Sequence, residues 1–175
     1  MHMFSELVDR GTHFTLQALN DALAETIDAL QTTGATVHVK NLQMISLQKA
    51  VLAVGILSLF ESMLQDGLQC KDGFREADNI LIKQGETVLK DKFVNYRDAI
   101  NVLKHGKGPS YNNLVAKAAL LPFRIKLPHE SFFYEGDVSE IFTLIQVDDT
   151  FVQSCAAIVE QVSVVIRKER TDFYL

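Results

Sequence analysis

The sequence predicts an all-α fold: an up-and-down bundle of four to five helices with an irregular insertion before the last one. Apolar residues recur at steps of three and four along several long stretches, the spacing that lines one face of a helix. Breakers are few, 9 Gly and 3 Pro in 175 residues, and the clearest of them fall between those stretches. The intervening segments are short enough for antiparallel neighbours, and no internal repeat of about 20–50 residues suggests a solenoid or propeller. The chain reads as a single domain over residues 1–175.

The first helix is predicted from Phe4 to about Gly34, with Phe4, Leu7, Val8, Gly11, Phe14, Ala18, Leu19, Ala22, Leu23, Ile27 and Leu30 on the inward stripe. Ala35 to Lys40 alternates small or branched residues with polar ones, as an extended connector or short edge strand would. A second helix is expected from Leu42 to Leu68. Its apolar residues surround almost the whole circumference, as on a helix at the centre of a bundle. Cys70-Lys71-Asp72-Gly73 reads as a turn. A third helix follows from about Phe74 to Lys104, with Leu81, Val88, Leu89, Phe93, Tyr96, Ile100 and Leu103 inward and Gly85 as a kink or split. Gly106-Lys107-Gly108-Pro109 ends it.

Ser110 offers an N-cap for a short helix to about Leu121. Pro122 to Gly136 breaks the pattern with two prolines and several aromatics, and Phe132-Phe133-Tyr134 reads as the anchor of this excursion. Asp137 and Asp148 both resemble N-caps. The last helix is predicted from Asp148 to Arg170, with Phe151, Val152, Cys155, Ile158, Val159, Val162, Val165 and Ile166 inward. Its valines are poor helix formers, so buried packing must outweigh propensity.

The net charge of −5 argues against a surface that coats nucleic acid throughout. Charge is nonetheless uneven. Between Lys90 and Lys126 lie eight basic residues and two acidic ones, a local balance of +6. That concentration suits a localised anion site, or a helix face whose counter-charges lie nearby in space.

One stretch inside this region carries chemistry. Arg97, Asn101 and His105 stand at i, i+4 and i+8 and share one helical face. Together they offer a guanidinium for a phosphate, an amide, and an imidazole that moves protons near neutral pH. The segment resembles the motif helix of HEPN-like domains, small helical bundles of toxin–antitoxin, abortive-infection and other RNA-targeting systems. The resemblance implies a homodimer and a metal-independent RNase site shared between subunits. In it His105 is the general acid/base, Arg97 the phosphate clamp and Asn101 a positioning group, with Lys104, Lys107 and Tyr111 as nucleic-acid contacts. The chain departs from the pattern at Ile100, which stands where the family's Arg is expected. Arg97 is too far along the helix from His105 for the usual spacing. The alternative reading is a non-catalytic helical interaction or scaffold protein whose partner is another protein. In it His105 merely favours the negative end of its helix.

No metal site is expected, because His2, His13, His38 and His129 have no second ligand at i+3 or i+4. No cofactor is expected either, since Gly106-x-Gly108 lacks a preceding strand. Ser62, Ser154, Cys70 and Cys155 have no local base to activate them. Met1 to Glu6 does not read as a signal peptide. The most apolar run, Ala50 to Phe60, is shorter than the about 20 residues of a spanning helix. A cytoplasmic protein without membrane contact is the corresponding expectation.

Overall fold

The computed structural model describes residues 2–171 and Phe173. Six helices follow one another: α1 (Phe4–Thr32), α2 (Thr36–Gly67), α3 (Gly73–Lys83), α4 (Thr87–His105), α5 (Pro109–Val115) and α6 (Asp149–Glu169), with a 3-10 turn at Ala118–Leu120. No strand occurs among the described residues, and the all-α bundle with an irregular segment before its last helix is the observed architecture.

The centre belongs to α6, which packs against α1, α2, α3 and α4. All eight residues expected to face inward on it, Phe151 through Ile166, are buried. Packing against four helices supplies what the valines lack in helix propensity. Asp148 starts the helix as its N-cap, accepting the Phe151 amide at 2.8 Å. An aromatic cluster joins α6 to α4: the Tyr96 and Phe151 rings lie 5.2 Å apart, and Phe123 packs edge-on to both.

The predicted third helix is two helices. Gly85 takes φ +77°, a left-handed conformation that glycine adopts without steric cost, and the chain turns there from α3 into α4. Gly106, at φ +73°, ends α4 in the same way. Asp72 caps α3 by accepting the Arg75 amide at 3.0 Å. Gly73 lies against the last turns of α2. A Cβ there would sit 2.7 Å from the Leu64 Cβ and 2.8 Å from the Glu61 carbonyl oxygen.

Several expectations are corrected. Of Ala35–Lys40 only Ala35, the N-cap, is extended. The helix begins at Thr36, because no neighbouring strand is present to pair with that backbone and helical bonds satisfy it instead. On α1, Leu7, Phe14 and Ile27 are exposed, whereas Ser5, Thr12 and Thr26 are buried. The apolar sector of α1 is wider than the contact it makes with α2 and α6, and packing selected one flank of it. Likewise α2 touches α1, α3, α4 and α6 but keeps Met44, Leu47, Val51 and Leu59 in solvent. Val88, in the first turn of α4, is exposed. Ser110 does not cap α5: Pro109 opens that helix, which ends at Val115, and the Ser110 hydroxyl donates to Asp98 at 2.7 Å. Asp137 starts no helix and instead accepts the Ser139 amide and hydroxyl in a turn.

The irregular segment, residues 121–148, closes on itself before α6. Ile125 and Ile145 form an antiparallel bridge, with the Lys126 amide donating to the Leu144 carbonyl and the Gln146 amide to the Arg124 carbonyl. Both isoleucines are buried. Lys126 and Glu140 form an ion pair at 2.6 Å with side chains only 9% and 10% exposed, and the Phe133 amide also donates to Glu140.

By length and composition alone, α2 and α6 are apolar enough to cross a membrane. In α6, 56% of the most apolar window is buried within the bundle, against 33% in α2.

Candidate functional site

Arg97, Asn101 and His105 do share a face of α4, but they meet different surroundings. Arg97 is drawn inward. Its Nη1 donates to the Asp78 carboxylate at 2.9 Å and to the Phe74 carbonyl at 3.1 Å. Its guanidinium lies 4.9 Å from the Phe93 ring centre and 5.2 Å from that of Phe74, both within cation–π range. Burial raises the Asp78 pKa above the usual carboxylate value, outweighing the pull of Arg97. Each residue thereby helps the other occupy the α3–α4 junction.

Asn101, Lys104, His105 and Lys107 are exposed. The recess beside Arg97, lined also by Ser58, Glu61, Asn101 and Lys104, encloses about 10 Å³. That is room for roughly one water, not for a nucleobase. Ile100, at the position where the family pattern has its Arg, is 4% exposed and belongs to the core. Tyr111 is buried, its hydroxyl donating to the Lys126 carbonyl at 2.8 Å. Burial pushes its phenol pKa up. Its ring lies 5.9 Å beneath the Lys107 ammonium, and little of it faces solvent.

Much of the basic segment is answered by carboxylates. Lys90 pairs with Asp91, Arg97 with Asp78, Arg124 with Glu130 and Lys126 with Glu140. The Leu127 amide and Arg124 together hold the Glu130 pKa below the usual carboxylate range. Three of these counter-charges, Asp78, Glu130 and Glu140, lie outside the Lys90–Lys126 segment, so a charge count confined to it could not reveal them.

Sequence reasoning missed a second polar junction. Lys49 of α2 reaches Asp149 at 2.6 Å, and Asn20 of α1 donates to the same carboxylate at 2.7 Å. Burial alone would raise the Asp149 pKa, but the Lys49 and Asn20 bonds leave it lowered. The three residues come from distant parts of the chain, and no spacing rule links them. Beside them, between α1, α2 and the irregular segment, lies a cavity of about 220 Å³ walled by Leu23, Leu42, Ile45, Ile141 and Val147. Of its carboxylates, Asp137 accepts from Ser139, Glu140 holds Lys126 and Asp148 accepts the α6 amide.

Among the described residues, no three His, Cys, Asp or Glu side chains gather closely enough to hold a metal ion. Cys155 is buried, and burial pushes its thiol pKa well up, the opposite of an activated nucleophile. The chain matches no protein-family model, no curated protein and no solved structure.

Proposed function

We propose that the chain is a non-catalytic helical interaction protein, working through the surface of its bundle rather than through a reaction centre. The observation that carries the reading is the outward face of α2, where Met44, Leu47, Val51 and Leu59 stand about half exposed in one helix. Leaving large apolar side chains in water forgoes roughly 1–2 kcal/mol each, an arrangement that fits a surface covered by a partner. The engagement of Arg97 with Asp78 supports the same reading, because it takes the guanidinium of this face of α4 away from any phosphate it would stabilise in a transition state.

A HEPN-like RNA or nucleotide contact is the second reading. It is favoured by the exposure of Lys104, His105 and Lys107 around Gly106. The two readings separate in a filter-binding assay over a salt series. The interaction reading expects weak RNA binding that Lys104→Ala with Lys107→Ala leaves unchanged, and no cleavage. Tight binding that falls steeply with salt and is lost in that double variant would establish the second reading instead. Cleavage abolished by His105→Ala at an unchanged melting temperature would add catalysis to it.

A further inference from the structure

The cavity between α1, α2 and the irregular segment is graded from hydrocarbon to acid. Among the side chains around it, Leu42, Ile45 and Phe133 are buried, whereas Tyr134, Asp137 and Asp148 are exposed. Its depth is therefore apolar and its rim carries carboxylates. At about 220 Å³ the space exceeds the roughly 150 Å³ of a dry apolar cavity that accepts benzene. By proportion it has room for about nine non-hydrogen atoms. Apolar walls with a few placed polar groups are what small-molecule ligands occupy.

Charge around this cavity does not balance. Lys49 is engaged by Asp149, Lys126 by Glu140, and Arg124, which lies over the Tyr134 ring, by Glu130. Asp137 and Asp148 have no ion-pair partner among the described residues. Each commits one oxygen to its own backbone: Asp137 Oδ1 accepts the Ser139 amide and hydroxyl, and Asp148 Oδ1 accepts the Phe151 amide. The second oxygen of each is open to a donor. The positive end of the α6 dipole offsets part of the Asp148 charge, so Asp137 is the stronger attractor of a cation.

We propose that this cavity binds a small primary amine, with its apolar body among Leu42, Ile45 and Phe133 and its ammonium at the rim formed by Asp137 and Asp148. An acid of the same shape would bring a further negative charge to that rim, and a neutral molecule would leave both carboxylates unanswered. The lysine side chain of another protein fits badly. It would enter ammonium first and place its charge in the apolar depth, where desolvation opposes it. The site stands apart from the interaction reading, because Met44, Leu47, Val51 and Leu59 lie outside its walls.

The test is isothermal titration calorimetry of the full chain with 2-phenylethylamine, whose size matches the space, against 2-phenylethanol and phenylacetate. These are neutral and anionic molecules of similar shape. The expected result is one amine per chain with a dissociation constant of about 100 µM, the alcohol at least about tenfold weaker, and no binding of phenylacetate. Asp137→Asn combined with Asp148→Asn removes the charge but keeps the acceptor oxygens, and asparagine caps a helix as well as aspartate does. This double variant should weaken the amine at least about tenfold and leave the alcohol unchanged. Ser46→Leu, a neutral change that fills the cavity from α2, should abolish binding of both without lowering the melting temperature. No amine binding at about 10 mM overturns the inference, as does phenylacetate or the alcohol binding as tightly as the amine. Amine binding indifferent to Ser46→Leu, or to the loss of both carboxylates, also overturns it. Should either variant unfold, the comparison of the three ligands on the unaltered chain still decides.

Discussion

Arg97 is the residue where chemistry and architecture compete, and its surroundings decide for architecture. The guanidinium is 18% exposed, held by a carboxylate equally covered, and bounded by the Phe74 and Phe93 rings. Removing it leaves Asp78 buried without a partner, so Arg97→Ala should cost about 2–4 kcal/mol in urea denaturation at neutral pH. The sign of its pH dependence follows from Asp78. A carboxyl whose folded pKa is raised binds its proton more readily in the folded state, so ionising it on going to higher pH works against folding. The deficit of Arg97→Ala should therefore shrink as the pH falls and Asp78 takes up its proton. Replacing the pair by Asp78→Leu with Arg97→Met should recover most of the loss. A deficit that stayed constant from pH 7 to pH 4 would count against the pairing. The sequence could place Arg97 on the right face of its helix. It could not show that Asp78, nineteen positions earlier, would claim it.

At the scale of elements, the boundaries depend on a few backbone positions. Gly85 and Gly106 adopt left-handed conformations and end their helices, as their place in the pattern implied. Gly73 serves differently: it has no room for a side chain, because the first turn of α3 sits against Leu64 and the Glu61 carbonyl. Gly73→Ala should destabilise the chain by several kcal/mol, at the upper end of the about 1–3 kcal/mol typical of overpacking, since the obstructing atoms are largely backbone. Thermal melting measures this, with Gly55→Ala as the comparison. Gly55 has open space around a Cβ and should gain rather than lose, by up to about 1 kcal/mol. What periodicity could not settle was which part of a wide apolar sector faces inward. On α6 the eight apolar residues expected inward are all covered, and there the pattern read correctly. On α1 and α2 the sector exceeds the contact, and only the neighbours determine which residues remain outside.

For the molecule as a whole, α1 is fastened less firmly than the other long helices. Of its 29 residues only Ser5, Thr12, Leu16 and Thr26 are buried, and Leu16 alone among them is a large hydrocarbon. The hydroxyls of Ser5 and Thr12 are covered without a hydrogen-bond partner, a cost that detachment would relieve. The bundle should accordingly breathe from its first helix. Amide protons in the middle of α1 should exchange with deuterium well before those at the middle of α6, by at least about 100-fold. Equal protection along both helices would mean that the bundle opens only as one unit. Whenever that outermost layer lifts, it bares the valine-rich side of the central helix it had covered, so the chain's resistance to clumping is set by how rarely one loosely held segment strays from its seat.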